Sequence, residues 1–311
     1  MLVTQEPNLR HFWYAVMPIT ALQEAPKPFI LLGEKLVLWL DSEGKPAAIQ
    51  DRCCHRSAQL SRGQVQNGCV VCPYHAWEFA PSGACVHMPQ LKDRAVPKNY
   101  QVPGYLCTER YGYAWVCLGK PVAEIPEIPE AHDPLFRQIH CFNETWNTSS
   151  PRVVENELDM GHFAVVHRNS IGNPAVPLPL SYELSDLSLT SLNLRAEIST
   201  QTLGQLEYPS GLKHIVINHP TPIDDDHIQV LQFHFRDDTE TQTSKEDLIA
   251  FERQILNEDK YALESTDPNF PLDSGTEAHM STDQAGLLFR SKLKKLLRTP
   301  EFKPNAEAKP T

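Results

Sequence analysis

Two short segments of the chain combine cysteine with histidine at spacings that suit a metal centre. Cys53-Cys54-His55 contains a Cys-x-His pair, and Cys72-Pro73-Tyr74-His75 contains a Cys-x-x-His pair. Each pair falls in a predicted hairpin loop, so two loops could bring two thiolates and two imidazoles together. A two-iron, two-sulfur cluster with cysteines on one iron and histidines on the other uses this ligand set. Such a centre would carry one electron at a time.

Two other uses of these residues fit the spacing less well. A Cys2His2 zinc site normally has C-x2-C followed by H-x3-H on a helix, which this chain lacks. All eight cysteines lie in the first 141 residues of a long chain, interleaved with histidines, which is not the pattern of a disulfide framework. The cysteines that lie in or beside strand patterns are expected to be buried small hydrophobes: Cys69, Cys85, Cys107 and Cys117.

A second group of residues with metal-binding chemistry lies between positions 155 and 167, which read ENELDMGHFAVVH. Asp159 and His162 are three residues apart and would share a helix face. His162 and His167 are five apart, about 140° around an ideal helix, so one metal can take both only if the helix is distorted; a π-bulge, eased by Gly161, would align them. If both histidines bind one iron, a carboxylate as third ligand would complete a set that leaves positions open for other molecules.

A predicted helix at 244–265 contains two candidates for that ligand. Leu248, Phe251, Ile255 and Ala262 form an apolar stripe, and Glu258 and Asp259 both lie close enough to it to point inward. Spacing alone does not choose between the two carboxylates, and a solvated helix face is the alternative interpretation. Four further histidines are left out as packing or surface residues: His214, His219, His227 and His234.

The surrounding pattern predicts an α+β protein. Short strands separated by turn signals are expected at 29–32, 36–40, 47–50, 69–71, 77–79, 105–107 and 113–118, which makes the N-terminal domain antiparallel β. Four prolines between 121 and 134 mark a crossover into a catalytic domain with a central antiparallel sheet covered by helices. We expect domains at 1–122 and 123–300, followed by a disordered tail at 301–311.

Composition excludes several classes of partner. The formal net charge is -11, so nucleic acid is an unfavourable partner. No apolar run is long enough to cross a membrane, and the N-terminus lacks a secretion signal, so we expect a cytoplasmic protein. There is no G-x-G-x-x-G fingerprint for a dinucleotide and no plant-ferredoxin cysteine spacing. The chain therefore cannot take electrons from NAD(P)H unaided.

Both groups of residues resemble the catalytic subunit of Rieske non-haem iron oxygenases. Cys53-Cys54-His55-Arg56, Cys72-Pro73-Tyr74-His75-Ala76-Trp77 and Gly83-Ala84-Cys85 are similar to the Rieske motif, except that Ala76 replaces the usual glycine. Asn156, Asp159, His162 and His167 match N-x-x-D-x-x-H-x4-H. The resemblance implies a [2Fe-2S] cluster on Cys53, His55, Cys72 and His75, and mononuclear iron on His162, His167 and Asp259.

The resemblance also implies partners and a reaction, with electrons supplied by a separate NAD(P)H-dependent reductase or a ferredoxin. Asp159, with Asn156 beside it, would connect the iron of one subunit to the Rieske histidine of its neighbour, which implies a homotrimer. The short chain is similar to the vanillate, methylxanthine and dicamba demethylases, which implies monooxygenation by C–H hydroxylation or N- or O-demethylation of a small cyclic molecule. A Rieske electron-transfer protein would need only the first site, and a zinc-stapled interaction protein would need neither iron nor sulfide.

Overall fold

The computed structural model describes residues 1–172, 183–189, 194–199 and 212–298, apart from positions 93, 160 and 274. For 183–189 and 194–199 only the backbone is described. The chain divides into two compact units. One unit is Arg10–Ala123, and the other joins Met1–Leu9 to the described residues from Glu124 onward. The predicted tail at 301–311 lies outside the described residues.

The first unit is built on a six-stranded antiparallel sheet. Its strands are β1 (Tyr14–Pro18), β2 (Lys27–Leu31), β3 (Glu34–Leu40), β4 (Pro46–Gln50), β9 (Gly104–Arg110) and β10 (Tyr113–Cys117). Their order across the sheet is β1-β10-β9-β4-β3-β2. β10 is buried along its whole length, so it runs through the core of the unit.

A second, four-stranded antiparallel sheet adjoins the two loops that contain the predicted cluster ligands. It contains β5 (Gln64–Gln66), β6 (Cys69–Val71), β7 (Glu78–Phe79) and β8 (Cys85–His87) in sequence order. Val37, Trp39 and Ile49 of the larger sheet share one apolar core with Val70 and Phe79 of this sheet. The indole N–H of Trp39 also donates to the Gly68 carbonyl at 2.9 Å. The two sheets are therefore held together by a common core.

The two loops that contain the predicted cluster ligands differ in type. The loop at 72–77 connects β6 and β7, which pair with each other, so it is a hairpin loop as predicted. The loop after β4 is not a hairpin, which corrects the prediction for Cys53 and His55. β4 pairs with β3 and β9, whereas β5 pairs with β6. This loop crosses from one sheet to the other, a long-range connection that local turn signals do not reveal.

The second unit contains a three-stranded antiparallel sheet, whose strand pairings are the longest among the described strands. β15 (Ile228–Arg236) lies between β11 (Arg137–Trp146) and β14 (His214–Pro222). β12 (Glu183–Leu189) and β13 (Leu194–Ser199) form a separate antiparallel pair. Ile228 and Val230 of β15 pack with Leu248, Leu256 and Leu263 in one core. The face of β15 that contains Ile228 and Val230 is thus covered by the helix that contains these three leucines.

The described part of this unit contains the helices α1 (Ser150–Leu158), α2 (Phe163–Val166), α3 (Lys245–Leu263) and α4 (Gln284–Arg298). Short 3-10 helices occur in both units, at Val3–Gln5, Pro7–His11, Ile19–Leu22, Leu60–Arg62, Pro89–Leu91, Pro129–His132 and Ser281–Asp283. α3 begins where Ser244 Oγ accepts the Asp247 N–H at 3.1 Å, a typical N-cap. The antiparallel sheets and covering helices confirm the predicted α+β class.

The buried face of α3 differs from the predicted apolar stripe. It consists of Leu248, Glu252, Leu256, Asp259 and Leu263, whereas Phe251 is exposed. Two of the five buried positions are therefore carboxylates. The prediction used apolar residues alone and so took no account of these two carboxylates. The predicted buried face of α3 is therefore displaced by about one residue.

Candidate active site

The Cys53 and Cys72 loops have the same backbone hydrogen-bond pattern. The Cys53 N–H donates to the Ala58 carbonyl at 2.8 Å, and the Cys53 carbonyl accepts from Ser57 N–H at 2.9 Å. In the second loop the Cys72 N–H donates to Trp77 O at 2.8 Å, and Cys72 O accepts from Ala76 N–H at 3.1 Å. Each cysteine is thus fixed at the base of a tight turn.

Both turns require a residue in the left-handed region. Ser57 has φ 59° and Ala76 has φ 57°. This conformation costs an L-residue roughly 1–2 kcal/mol relative to glycine. The replacement of glycine at position 76 therefore puts a strained alanine in the loop, without changing the turn itself.

The four side chains of these loops separate into two pairs. Cys53 and Cys72 are buried, 2% and 3% exposed. Burial, with a further contribution from the Cys72 thiol, raises the pKa of Cys53 to about 12. His55 and His75 lie outside, with ring centroids 4.7 Å apart. Partial desolvation and the neighbouring His75 and Arg56 lower the pKa of His55.

Aromatic stacking and hydrogen bonds hold the histidine pair. The His55 ring stacks on Trp77 at 4.6 Å with an 8° interplanar angle. The Gln90 side chain accepts from Trp77 Nε1 at 3.0 Å and donates to His75 O at 2.9 Å. An inner thiol pair and an outer imidazole pair are the arrangement expected of ligands on the two irons of a Rieske cluster. The residues present therefore fit that cofactor.

The remaining cysteines of this unit are all free. Cys85 and Cys117 are buried as expected, but Cys69 and Cys107 are only half-buried. Cys54 is exposed between Cys53 and His55.

In the second unit, His162, His167 and Asp259 bring three donor atoms to one point. His162 Nε2 and His167 Nε2 are 3.1 Å apart. Asp259 Oδ1 lies 3.4 Å from His162 Nε2 and 3.1 Å from His167 Nε2. Ligands about 2.1 Å from a metal and at right angles to each other would be roughly 3 Å apart. The triangle therefore fits one ion bound through one face by two imidazoles and a carboxylate.

The backbone reaches this geometry by breaking the helix, not by the predicted π-bulge. α1 ends at Leu158, and Asp159 is extended with φ −90° and ψ 110°. Asp159 Oδ1 then accepts the Gly161 N–H at 2.7 Å, which forms an Asx turn. The shared helix face predicted for Asp159 and His162 is therefore also wrong. His162 and His167 instead flank the four residues of α2.

The chain turns sharply after His167. The His167 carbonyl accepts from Ser170 N–H at 2.9 Å and from Gly172 N–H at 2.7 Å. A Cβ at Gly172 would lie 2.0 Å from the Phe163 carbonyl oxygen. Only glycine fits at this contact, so the turn closes directly onto α2.

Asp259 is held ionised by its surroundings. Burial alone would raise its pKa, but hydrogen bonding to His162 and His167 lowers the pKa of Asp259 to about 2. The Asn156 side chain donates to the same Oδ1 at 3.1 Å. Asn156 thus fixes the orientation of the carboxylate. This predicted site residue therefore lies next to Asp259.

Glu258, the other carboxylate left open by the sequence, lies on the far side of His167. Its Oε2 is 3.0 Å from His167 Nδ1, the ring nitrogen that faces away from the triangle. Ser170 Oγ donates to the same Oε2 at 2.5 Å. Sequence reasoning missed this role, although the adjacent Glu-Asp pair was visible.

Asp159 lies beside the triangle without belonging to it. Its Oδ2 is 3.7 Å from His162 Nδ1, too long for a direct hydrogen bond. Burial opposes ionisation, but the His162 ring and the Gly161 N–H lower the pKa of Asp159. Its side chain is 38% exposed, so a group from outside the unit can reach the carboxylate.

His214, His234 and Glu252 form another group of three close donor residues. His214 Nε2 lies 2.7 Å from His234 Nδ1, and His234 Nε2 faces Glu252 Oε2 at 3.9 Å. The two contacts use opposite edges of the His234 ring, so each ring nitrogen of His234 faces a different partner. The Arg236 guanidinium lies 3.5 Å from His214 and repels a cation. This group fits a metal less well than the first.

Two family models match the chain, one in each unit. A Rieske [2Fe-2S] domain matches residues 12–105, and a vanillate O-demethylase oxygenase C-terminal domain matches residues 188–299. Methylxanthine N1-demethylase NdmA of Pseudomonas putida is 29% identical over 93% of this chain and 89% of its own. The chain belongs to the Rieske non-haem iron oxygenases.

A solved structure also resembles this chain over most of its length. The structure of NdmA from Pseudomonas putida CBB5 superposes with a TM-score of 0.82 and 28% identity, covering 94% of this chain and 92% of NdmA. The oxygenase component of dicamba O-demethylase from Stenotrophomonas maltophilia is 33% identical over 51% of this chain and 48% of its own. This Rieske oxygenase is an oxidoreductase whose cofactors are a [2Fe-2S] cluster and mononuclear iron.

Among the described residues, no helix combines the length and apolar character needed to cross a bilayer.

Proposed function

We propose that this Rieske oxygenase is the oxygenase component of a multicomponent monooxygenase that hydroxylates a small cyclic molecule, or removes an N- or O-methyl group from it by hydroxylating the methyl carbon. The observation that carries the proposal is the triangle of His162 Nε2, His167 Nε2 and Asp259 Oδ1, with sides of 3.1–3.4 Å. Similarity to demethylases of methylxanthines and dicamba supports the substrate class.

The proposed ligand assignment follows the two pairs and the triangle. His162, His167 and Asp259 would hold the mononuclear iron, and Cys53, Cys72, His55 and His75 would hold the cluster. Iron with an open face supplies dioxygen activation when it is bound. The chain's own residues set the conditions for this: Asn156 orients the Asp259 carboxylate at 3.1 Å, and Asp259 balances the charge of the site.

Asp159 is proposed to connect the two metal centres across a subunit interface. A carboxylate that faces the His162 ring and is also 38% exposed can hold an imidazole N–H from outside the unit. Such a bridge requires a neighbouring subunit, and the family resemblance implies a homotrimer.

A separate reductase or ferredoxin is proposed as the electron donor. The relative from Stenotrophomonas maltophilia is named as an oxygenase component, which supports a system of several proteins. Arg52, Arg56 and Arg62 are exposed around the first cluster loop and could attract an acidic donor to a chain whose net charge is -11.

The division at residue 122 into a cluster domain and a catalytic domain is also proposed. Eight free cysteines support a reducing, cytoplasmic location.

Metal and sulfide analysis, followed by turnover, tests the proposal. Anaerobically purified protein reconstituted with ferrous salt should contain about three irons and two acid-labile sulfides per chain. With an artificial reductase, dioxygen and a panel of methylated heterocycles and aromatic ethers, mass spectrometry should detect one added oxygen or one lost methyl group. Two irons, two sulfides and no product would instead indicate an electron-transfer protein. Zinc without sulfide would reject both.

A further inference from the structure

We propose that Glu258 is a positioning residue for the mononuclear iron, acting through His167. It would fix the tautomer and the orientation of the His167 ring so that the Nε2 lone pair faces the metal. The inference rests on the proposed function, because it needs iron at His162, His167 and Asp259. It gives a defined role to a carboxylate that the sequence could only offer as an alternative ligand.

The contacts of Glu258 form a chain that ends at the metal-binding nitrogen. Ser170 Oγ donates to Glu258 Oε2 at 2.5 Å, and His167 Nδ1 lies 3.0 Å from the same oxygen. An ionised carboxylate only accepts hydrogen bonds, so Nδ1 must carry the proton. The neutral ring then has its lone pair on Nε2, which is the atom that faces Asp259 and His162.

The elements that carry this chain are fixed against each other. The Gln254 side chain, one helical turn before Glu258 on α3, donates to the Asn169 carbonyl at 3.1 Å. This bond fastens the 167–172 turn to α3. His167 is 1% exposed at its side chain and Glu258 is 18% exposed. The hydrogen bond from His167 to Glu258 is therefore largely shielded from water, which strengthens it.

Adjacent carboxylates on α3 thus act on opposite edges of one imidazole. Successive residues on a helix point about 100° apart, so Asp259 lies on the buried face and Glu258 lies at its edge. A carboxylate that accepts from the distal nitrogen of a metal-bound histidine raises the basicity of that ligand. Loss of such a partner typically weakens metal affinity or activity about 10- to 100-fold.

The test compares Glu258→Gln with two other variants in the full-length protein carrying its cluster. Ferrous iron affinity is measured by competition with a chelator, and the Rieske absorption reports the number of intact cluster domains. We expect Glu258→Gln to bind ferrous iron about 10- to 100-fold more weakly. Ser170→Ala removes the second bond to Oε2 and should show a smaller loss. Glu246→Gln, an exposed carboxylate in the first turn of α3, should bind iron as the wild type does.

A spectroscopic measurement separates positioning from general stability. In protein loaded with Co(II), the N–H proton on His167 Nδ1 should give a paramagnetically shifted, exchangeable proton resonance. Glu258→Gln should move this resonance and speed its exchange with solvent, and Ser170→Ala should move it less. An unmoved resonance with unchanged iron affinity in Glu258→Gln would overturn the inference. If Glu258→Gln does not fold, an unmoved resonance in Ser170→Ala decides against it.

The outcomes also separate this inference from the proposed function. Wild-type protein that retains no iron beyond its cluster would contradict both the proposed function and the role of Glu258. Wild-type protein that binds this iron, together with a Glu258→Gln variant that binds it equally well, would sink only the role of Glu258.

Discussion

The Nε2 atoms of His162 and His167 lie 3.1 Å apart, although the two residues stand at opposite ends of the four-residue helix α2. The break at Asp159 frees His162 from α1, and the turn that closes at Gly172 fixes His167. The two imidazoles therefore meet without distortion inside a helix. Asp259 approaches from α3 and completes the triangle.

Replacing Asp259 by Ala should remove the mononuclear iron and leave the cluster intact. The variant retains two imidazoles but loses the only charged donor of the triangle. The iron content should fall from about three to about two per two sulfides, with no product formed and unchanged visible absorption. Glu246→Ala, on the exposed side of the same helix, is the control. Retained turnover in Asp259→Ala would remove this residue from the site.

Asp159→Asn should keep both metal centres and slow the transfer of electrons between them. The amide keeps the size of the side chain but removes the negative charge beside His162. Re-oxidation of the reduced cluster by dioxygen and substrate, followed at visible wavelengths in a single turnover, should slow by at least about tenfold. Asp273→Asn, an exposed carboxylate paired with Lys294, should behave as the wild type. Single-turnover kinetics identical to those of the wild type would refute the bridging role.

Ala76→Gly should stabilise the cluster domain. Ala76 has φ 57°, so the glycine relieves strain worth about 1 kcal/mol after its greater freedom in the unfolded chain is counted. The temperature at which the cluster absorption is lost should rise. Ala80→Gly is the matched control, because Ala80 is not among the residues with positive φ, and this change should be destabilising. A lower transition temperature for Ala76→Gly would contradict the assignment of strain.

Glu252→Gln should stabilise the protein at pH 8 and have little effect at pH 5. Burial raises the pKa of Glu252 from 4.5 to about 7, so the folded state binds this proton more tightly than the unfolded state. The stability from that proton is complete below pH 4.5 and is lost as the pH rises to about 7. The neutral glutamine avoids this loss, which amounts to at most about 3 kcal/mol.

Thermal unfolding of wild type and Glu252→Gln at both pH values checks this prediction. His234, 3.9 Å from Glu252, adds no competing titration in this range because burial lowers its pKa to about 3. Arg236 favours the ionised carboxylate and limits the effect. A difference between the two proteins that is the same at pH 5 and pH 8 would show that Glu252 does not titrate in this range.

The sequence by itself determined the chemistry of the site and most of the elements. The Cys-x-His and Cys-x-x-His spacings, the paired histidines and the helix at 244–265 are local patterns, set by which residue types stand next to each other. Seven predicted strands of the first unit match β2, β3, β4, β6, β7, β9 and β10 to within a few residues. The alternation of apolar and polar residues and the preferences of turn residues act over a few neighbouring positions. Both can therefore be recognised in the sequence.

Only the tertiary structure decided how those residues meet. Glu258 and Asp259 are neighbours of the same charge, and the packing of α3 against the sheet and the His167 turn determines which one faces the triangle. The break at Asp159, like the crossing of the Cys53 loop between two sheets, depends on contacts between residues far apart in the chain. Helical periodicity carries no record of such contacts, because it describes one segment and not the surface on which that segment packs.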